Sequence, residues 1–510
     1  MISSLRHCRS ESSLNQLLMD DKQETRMIIP SFDFPKSELE KVKGIKDFES
    51  RAACFLINKN PDEQTIFLSG KSLQPEVVGY YLNLDGQPRD FKARVQSTWV
   101  LSPRLNRDDE SLCTSILKDR PLISFLGDLK SSENHILNYM SSPGMDQLSA
   151  TLEVKAINSP KESAYWGTKA GSREVFEEAG ILFPAGVPGK FKDMDLRDER
   201  GYILSLDGIV EAMARHLEAS GKEFITSWLI KLNQGIAGMG NADLDLVNAK
   251  PGMAGVELRA ALKQDFLNHL GASIPNFDRQ GFLENAADIG MIAEQFIKDE
   301  MAVSPSVQVY IDPDGAVEVL STHDQILDGQ KFLGSRFPAQ GVFQNDLHSY
   351  GQLIGDVLAK KGVRGYFGVD FLAVGGPENP QLFAIEINLR QTGTTSPYMT
   401  AKRLLKGPFV GDGIESLDGQ KRVYFSTDHL QAEAFKDLRP EQVIAAIKKS
   451  PIHWNPATSK GVVFHLFDKL ASEGEIGLTA IGENHREADA LYEQAGAFLT
   501  ELAAKPADHR

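Results

Sequence analysis

The alternation of apolar and polar positions is sharpest between Gly365 and Arg390, GYFGVDFLAVGGPENPQLFAIEINLR, where two runs rich in Phe, Ile and Val flank a Gly-Gly-Pro-Glu-Asn-Pro cluster. Such runs broken by turn residues predict a β-hairpin. With the turn centred near Glu378, antiparallel pairing sets Asp370 opposite Glu386, and the two-residue period carries Asn388 and Arg390 onto the same face. Phe367, Val369, Phe371, Phe383, Ile385, Ile387 and Leu389 then form the core side. The polar face gathers two carboxylates, an amide and a guanidinium. Hard oxygen donors of this kind, completed by nucleotide phosphates, hold Mg²⁺. A solvated strand face accounts for the same spacing, so the pattern alone leaves both readings open.

Upstream, from Met27 to about residue 164, apolar runs alternate with helical patterns. Ala52 to Ile57 (AACFLI) and Gln64 to Gly70 (QTIFLSG) predict buried strands, and Leu73 to Leu84 a helix opened by Pro75. This is an α/β pattern without a GxGxxG or P-loop motif, which disfavours a dinucleotide site of that kind. In GTKAGSREVFEEAG, Ser172 is placed to cap a helix running to Ala179 and ended by Gly180, with Lys169 in the loop before it. Trp228 to Leu232 predicts a strand carrying Lys231 inside an apolar run, followed by a loop with Gly235, Gly238 and Gly240. A buried lysine needs an anion, and glycines let backbone N–H groups approach one, so phosphate fits; a snorkelling lysine at a hairpin tip fits equally. Glu294 ends the next apolar strand, and Gln295, Phe296 and Ile297 make an edge suited to a purine, although any strand-to-loop junction has the same look.

Charge and length narrow the class. The 510 residues suggest roughly three domains. With 70 Asp and Glu against 55 Lys and Arg, a net charge of -15 and no basic block, a nucleic-acid partner is not expected. Cys8, Cys54 and Cys113 lack metal spacing, which suits free thiols in a reducing compartment. No apolar run approaches a membrane span and the first 26 residues are polar without a leader pattern, so a cytoplasmic protein with a disordered segment 1–26 is expected.

Taken in order, Lys169, Lys231 with its glycine loop, the EQFI edge, Asp370, then Glu386, Asn388 and Arg390 resemble the ATP-grasp superfamily. The likeness implies that Lys169, Lys231 and the loop glycines contact ATP phosphates, that Glu294 and the Gln295–Ile297 backbone meet adenine, and that Glu300 meets ribose. It also implies that Asp370, Glu386 and Asn388 hold Mg²⁺, with Mn²⁺ as a substitute, and that Arg390 steadies the transferring phosphoryl group. GYYLNL, KLNQGIAGMGN, EINLRQTGTTSPYMT and KGVVFHLFDKLASEGEIGLTAIG are similar to segments of the pheganomycin-type peptide ligases. Ala237, where Ser is common, and Ser396, where His is common, depart from that pattern.

The expected architecture is therefore α/β and α+β: a pre-ATP-grasp domain (27–165), a two-lobed ATP-grasp domain (166–410, lobes meeting near 294) and a small C-terminal α+β domain (411–510). The expected activity joins a small-molecule carboxylate to an amine, an amino acid or peptide, through an acylphosphate, releasing ADP and phosphate. A nucleotide-binding regulatory protein, another ligase or a phosphotransferase on the same scaffold are the alternatives. In the last segment, Asn484 and Glu487 have capping-box spacing before a helix whose stripe Ala488, Leu491, Ala495, Phe498, Leu499 and Leu502 should dock on strands near 462–467 and 476–481. His465 in that strand run reads as a structural histidine. The sequence leaves the substrates and the oligomeric state open.

Overall fold

The computed structural model describes residues 6–7, 25–33, 44–105, 110–129, 134–158, 161–189, 193–220, 224–234, 240–328, 331–376, 378 and 380–505. The first sheet is parallel: β1 (Arg6–His7), β2 (Thr25–Ile29), β3 (Gln64–Leu68), β4 (Thr98–Leu101), β5 (His135–Asn138) and β6 (Lys155–Ala156) lie in the order β1-β4-β3-β2-β5-β6. Gln64–Leu68 is the predicted strand and is buried throughout. Helix α1 (Pro75–Leu82) starts at the predicted proline, whose missing N–H costs nothing in a first turn. Most of segment 1–26 lies outside the described residues; Arg6–His7 pairs with β4, and Thr25 and Arg26 already belong to β2.

The predicted strand Ala52–Ile57 is instead part of a 3₁₀ helix, Ile45–Leu56. Its residues Ala53, Cys54, Phe55 and Leu56 are buried in a core shared with Val78, Tyr81, Phe464 and Leu478. An apolar run enclosed on all sides shows no period that separates strand from helix, which is why the pattern misled.

A second, antiparallel sheet has the order β7-β10-β8-β9, from β7 (Gly186–Val187), β8 (Ser227–Leu232), β9 (Asn241–Asp245) and β10 (Met291–Gln295). Trp228, Ile230, Ala242 and Leu244 are part of its core. The largest sheet begins with β11 (Ser304–Ile311), β12 (Val317–Asp328), β13 (Lys331–Phe337), β14 (Gly365–Val374) and β15 (Gln381–Asn388). The C-terminal strands β17 (Lys421–Gln431), β18 (Gly461–His465) and β19 (Glu475–Gly482) continue it, in the order β15-β14-β11-β12-β13-β17-β19-β18, and β16 (Ile414–Glu415) pairs with β17. Backbone hydrogen bonds between β13 and β17 therefore join the C-terminal segment to the preceding lobe.

Helix α2 (Pro143–Leu152) follows β5, α3 (Lys169–Ala179) enters the second lobe, and α4 (Gly341–Lys360) packs behind β11 and β12. α5 (Thr395–Leu405) lies against the 3₁₀ helix and β19. α6 (His485–Ala503) docks on β17 and β19, with Ala495 and Leu499 in the core and Leu491, Phe498 and Leu502 beside it. Its cap is Asn484, which accepts from Glu487 N–H at 3.0 Å, while the Glu487 carboxylate reaches one residue further back, to Glu483 N–H.

Candidate active site

The β14–β15 hairpin sets Asp370 opposite Glu386, as the sequence predicts. A bulge then shifts the register, so Phe371 faces Ala384 and Leu372 faces Phe383. Leu382 and Ala384 enter the core in place of the predicted Phe383 and Ile385, which are only partly buried, while Ile387 is buried as expected. One extra residue on one strand reverses which side chains face inward, and an alternating pattern carries no trace of it. Phe367, Val369 and Phe371 are buried as expected, and Leu389 packs at the core's edge.

The Asn388 amide binds the hairpin's polar face together, donating to Asp370 Oδ2 at 2.8 Å and to Glu386 Oε1 at 3.2 Å. Gln325 of β12 donates to Asp370 Oδ1 at 2.5 Å. Lys169 forms an ion pair with Glu386. It is the first residue of α3 rather than a loop residue: Thr168, not Ser172, caps the helix by accepting from Gly171 N–H at 3.1 Å. Ser172 instead accepts the Ile387 N–H at 3.0 Å and so pins α3 to β15. Gly180 ends α3 with φ 69°, the left-handed cap the sequence predicts.

Electrostatics set the two carboxylates apart. Burial raises Asp370, and neighbouring Glu386 raises it further, to about 7. Burial would raise Glu386 too, but Lys169 outweighs it, helped by Lys231 and Arg390, and holds Glu386 below the usual carboxylate range. Cations from three places in the chain thus act on one pair of buried acids and hold only Glu386 low. Among the described residues no three His, Cys, Asp or Glu side chains cluster as a metal site. The set here is two carboxylates and an amide, which are the hard donors a small divalent cation takes when phosphates complete its shell.

Lys231 of β8 is 3% exposed and forms an ion pair with Glu294, itself 3% exposed. Arg173 of α3 approaches the other Glu294 oxygen at 3.6 Å and donates to the Pro184 carbonyl at 2.9 Å. Two buried cations share one anion here, so the lysine's expected need for an anion is met only in part. Gly235 and Gly238 lie outside the described residues; Gly240 is buried, and its carbonyl accepts from Leu232 N–H at 2.8 Å. The N–H groups of Gln295 and Phe296 bond to the Ala185 and Ser227 carbonyls, at 2.7 and 2.9 Å. Two donors of the Gln295–Ile297 edge therefore serve the fold. Glu300 is exposed.

Arg390 leaves β15, and a backbone bridge ties it to Met140 of the first domain. The loop after it is fixed by Gln308 of β11, which donates to Thr392 Oγ1 at 2.5 Å and Thr394 Oγ1 at 2.7 Å and accepts from Thr395 Oγ1 at 2.8 Å. Gly368 permits this: a Cβ there would stand 2.9 Å from the Thr392 methyl and 2.8 Å from Gln308 Nε2. Sequence reasoning missed Arg173, Gln308 and Gln325. Each acts through a partner distant in sequence, and only the Gln-Thr-Gly-Thr-Thr run hinted at a hydroxyl network. Ser396 is buried in α5.

His465 proves to have an acid beside it: Nε2 lies 2.7 Å from Asp428 Oδ1, and Arg51 of the 3₁₀ helix pairs with the other Asp428 oxygen.

These features define a class. An antiparallel sheet carrying paired carboxylates, Lys169 on a helix packed against that sheet and Lys231 on the neighbouring four-stranded sheet make up the ATP-grasp fold. It aligns with biotin carboxylase from Campylobacter jejuni (TM-score 0.53, 12% identity, 95% of this chain and 96% of that one). It also aligns with the N5-carboxyaminoimidazole ribonucleotide synthetase purK (TM-score 0.51, 11% identity, 94% and 98%). Residues 274–408 match the family described as IQCH-like, ATP-grasp, and residues 442–495 match the PGM1 C-terminal domain. The fold is thus that of the ATP-grasp proteins, and the chain is similar to the pheganomycin-type ligases. Across 497 residues, 94% of this chain and 95% of the other, it is 26% identical to the L-propargylglycine--L-glutamate ligase of Streptantibioticus cattleyicolor. It is 22% identical to IQ motif-containing protein H of Danio rerio over 75% of this chain and 39% of that protein.

Proposed function

We propose that the chain is an ATP-dependent carboxylate–amine ligase, with domain boundaries near residues 165 and 410. The observation that carries this reading is the convergence of Lys169, Asp370, Glu386 and Asn388, with Lys231 and Arg390 acting on the same carboxylate. Asp370, Glu386 and Asn388 would hold Mg²⁺, or Mn²⁺ in its place, which when bound neutralises charge on the ATP phosphates. Lys169 and Lys231 then exchange their carboxylate partners for phosphate oxygens. Glu294 and Ile297 face adenine, Gln295 and Phe296 contribute their remaining backbone groups, and Glu300 meets the ribose.

In the reaction, a carboxylate oxygen of the acid attacks the γ-phosphorus and ADP leaves. The amine lone pair then attacks the acyl carbon, phosphate departs, and the ammonium proton is lost. Arg390 stabilises the charge spread over the transferring phosphoryl group, so its contribution is greatest in the transition state. The substrates are an amino acid or peptide pair; the ligase relative's name describes two amino acids for that enzyme. The test is a screen for ADP release across pairs of the twenty L-amino acids and short peptides, with ATP and Mg²⁺. The reading expects release that needs both an acid and an amine and that Glu386→Gln abolishes. Release independent of any acid, or undiminished in Glu386→Gln, contradicts it.

A further inference from the structure

Helix α3 touches two sheets and places one cation on each. Lys169 and Arg173 are four residues apart and so share a face of the helix. Lys169 reaches Glu386 of β15 on the large sheet, and Arg173 reaches Glu294 of β10 on the four-stranded sheet. Ser172 between them accepts the Ile387 N–H, so the helix that carries Arg173 is tied to β15.

Glu294 thus has two cations, and they are held differently. Arg173 Nη1 donates to the Pro184 carbonyl at 2.9 Å, its Nε lies 3.4 Å from the Pro188 carbonyl, and its guanidinium covers the Phe183 ring at 4.9 Å. The segment that supplies these contacts contains β7, whose Gly186 pairs with Glu294; a Cβ on Gly186 would stand 2.7 Å from Glu294 Cα. Arg173 is therefore locked behind the carboxylate it serves. Lys231 makes one ion pair among the described residues, with Glu294. It also helps to hold Glu386 low, so it lies toward the candidate active site.

An incoming phosphate can take Lys231 only if Glu294 is not left buried and alone, because stranding one member of a buried ion pair is strongly unfavourable. Arg173, at 3.6 Å, is near enough to keep that carboxylate balanced and has room to close on it. We propose that Arg173 is a positioning residue for ATP binding: it is the resident counter-charge of Glu294, and it frees Lys231 to move to the nucleotide phosphates. The proposal deepens the ATP-dependent reading of this site and rests on it for the identity of the anion.

Calorimetry of the full-length protein with ATP and Mg²⁺ tests the role of the charge apart from that of the shape. Arg173→Lys keeps the charge; Arg173→Gln loses the charge and keeps an amide donor for the Pro184 carbonyl. ATP affinity should stay within about threefold of wild type in Arg173→Lys and fall about tenfold in Arg173→Gln. With Glu294→Gln as the starting protein, adding Arg173→Gln should have no further effect, since no buried anion then competes for Lys231. A loss of the same size in both backgrounds, or no loss in either, overturns the proposal. A crystal structure of the wild-type protein with Mg²⁺ and the β,γ-methylene analogue of ATP gives a second readout that needs no variant to fold. Lys231 should lie on a phosphate oxygen and Arg173 within about 3.2 Å of Glu294. Lys231 still paired with Glu294 beside a bound nucleotide overturns the proposal while leaving ATP binding in place. Failure of the wild-type protein to bind ATP would contradict the ATP-dependent reading itself, and the proposal with it.

Discussion

Asp370 and Asp428 stand on the same nine-stranded sheet and are moved by their surroundings in opposite directions. Burial raises both. Asp370 has Glu386 as its neighbour and is pushed to about 7, whereas Asp428 has Arg51 first and His465 next and is held well below the usual range. In the first cluster Lys169 pairs with Glu386, and its pull on Asp370, with that of Arg390, does not offset burial and the neighbouring Glu386. The second is balanced by a guanidinium and an imidazole. An acidic pair left short of charge is strained until a cation arrives; a balanced one already has its partners and serves the fold. Burial and polarity alone would rank the two alike, and only the balance of charge separates a site for a ligand from a brace between domains.

The largest effect expected from this contrast is on chemistry. Glu386→Gln keeps the size and removes an anion, and turnover should fall by about 10³-fold or more while circular dichroism stays native. Near-normal turnover in a folded variant would put the two clusters in one class. Asp428→Asn is the mirror case. It strands Arg51 at the interface and should cost about 3 kcal/mol in urea unfolding, with the residual folded protein still turning over. A silent Asp428→Asn in unfolding would deny the brace.

The pH dependences should also oppose each other. Asp428 is depressed, so its stabilisation is complete above its unfolded value of about 3.9 and is lost as pH falls through the folded value. Asp370 is raised, so its contribution is present at low pH and lost as pH rises through about 7 in the ligand-free protein. Asp370→Asn should therefore raise ligand-free stability at pH 8 by about 1 kcal/mol, read as a Tm rise of a few degrees, and should remove the gain seen on lowering pH from 8 to 6. A smaller effect again is expected from Lys231→Met. Arg173 remains to hold Glu294, so folding should change little, and calorimetry should show ATP affinity about tenfold weaker. Unchanged ATP affinity would leave Lys231 a structural partner of Glu294 only.

The sequence made the centre of this picture readable because the hairpin has strong turn signals and a clean alternation up to Asp370. The register of Asp370 against Glu386 follows from those alone. What it hid was of three physical kinds. The bulge beyond Asp370 exchanged Phe383 and Ile385 for Leu382 and Ala384 without altering composition. The fully enclosed run Ala52–Leu56 had no exposed face to show a period. The partners of buried charge, Arg173 for Glu294, Gln325 for Asp370 and Arg51 for Asp428, come from segments 45 to 377 residues away or across lobes, a distance over which a single sequence records no pairing. Lys169 was readable as a residue but not as the first turn of a helix, because Thr168 and Ser172 are equally good caps by composition.

The central claim is that the underbalanced acids serve transfer of the γ-phosphoryl group to a carboxylate. Once the ADP-release screen yields an acid, that acid is labelled with ¹⁸O in its carboxylate and incubated with ATP, Mg²⁺ and its amine, and the products are read by mass spectrometry. One labelled oxygen should appear in inorganic phosphate and none in AMP. Label in AMP would mean an acyl-adenylate, and would contradict the roles assigned to Lys169, Lys231 and Arg390 around the γ-phosphate.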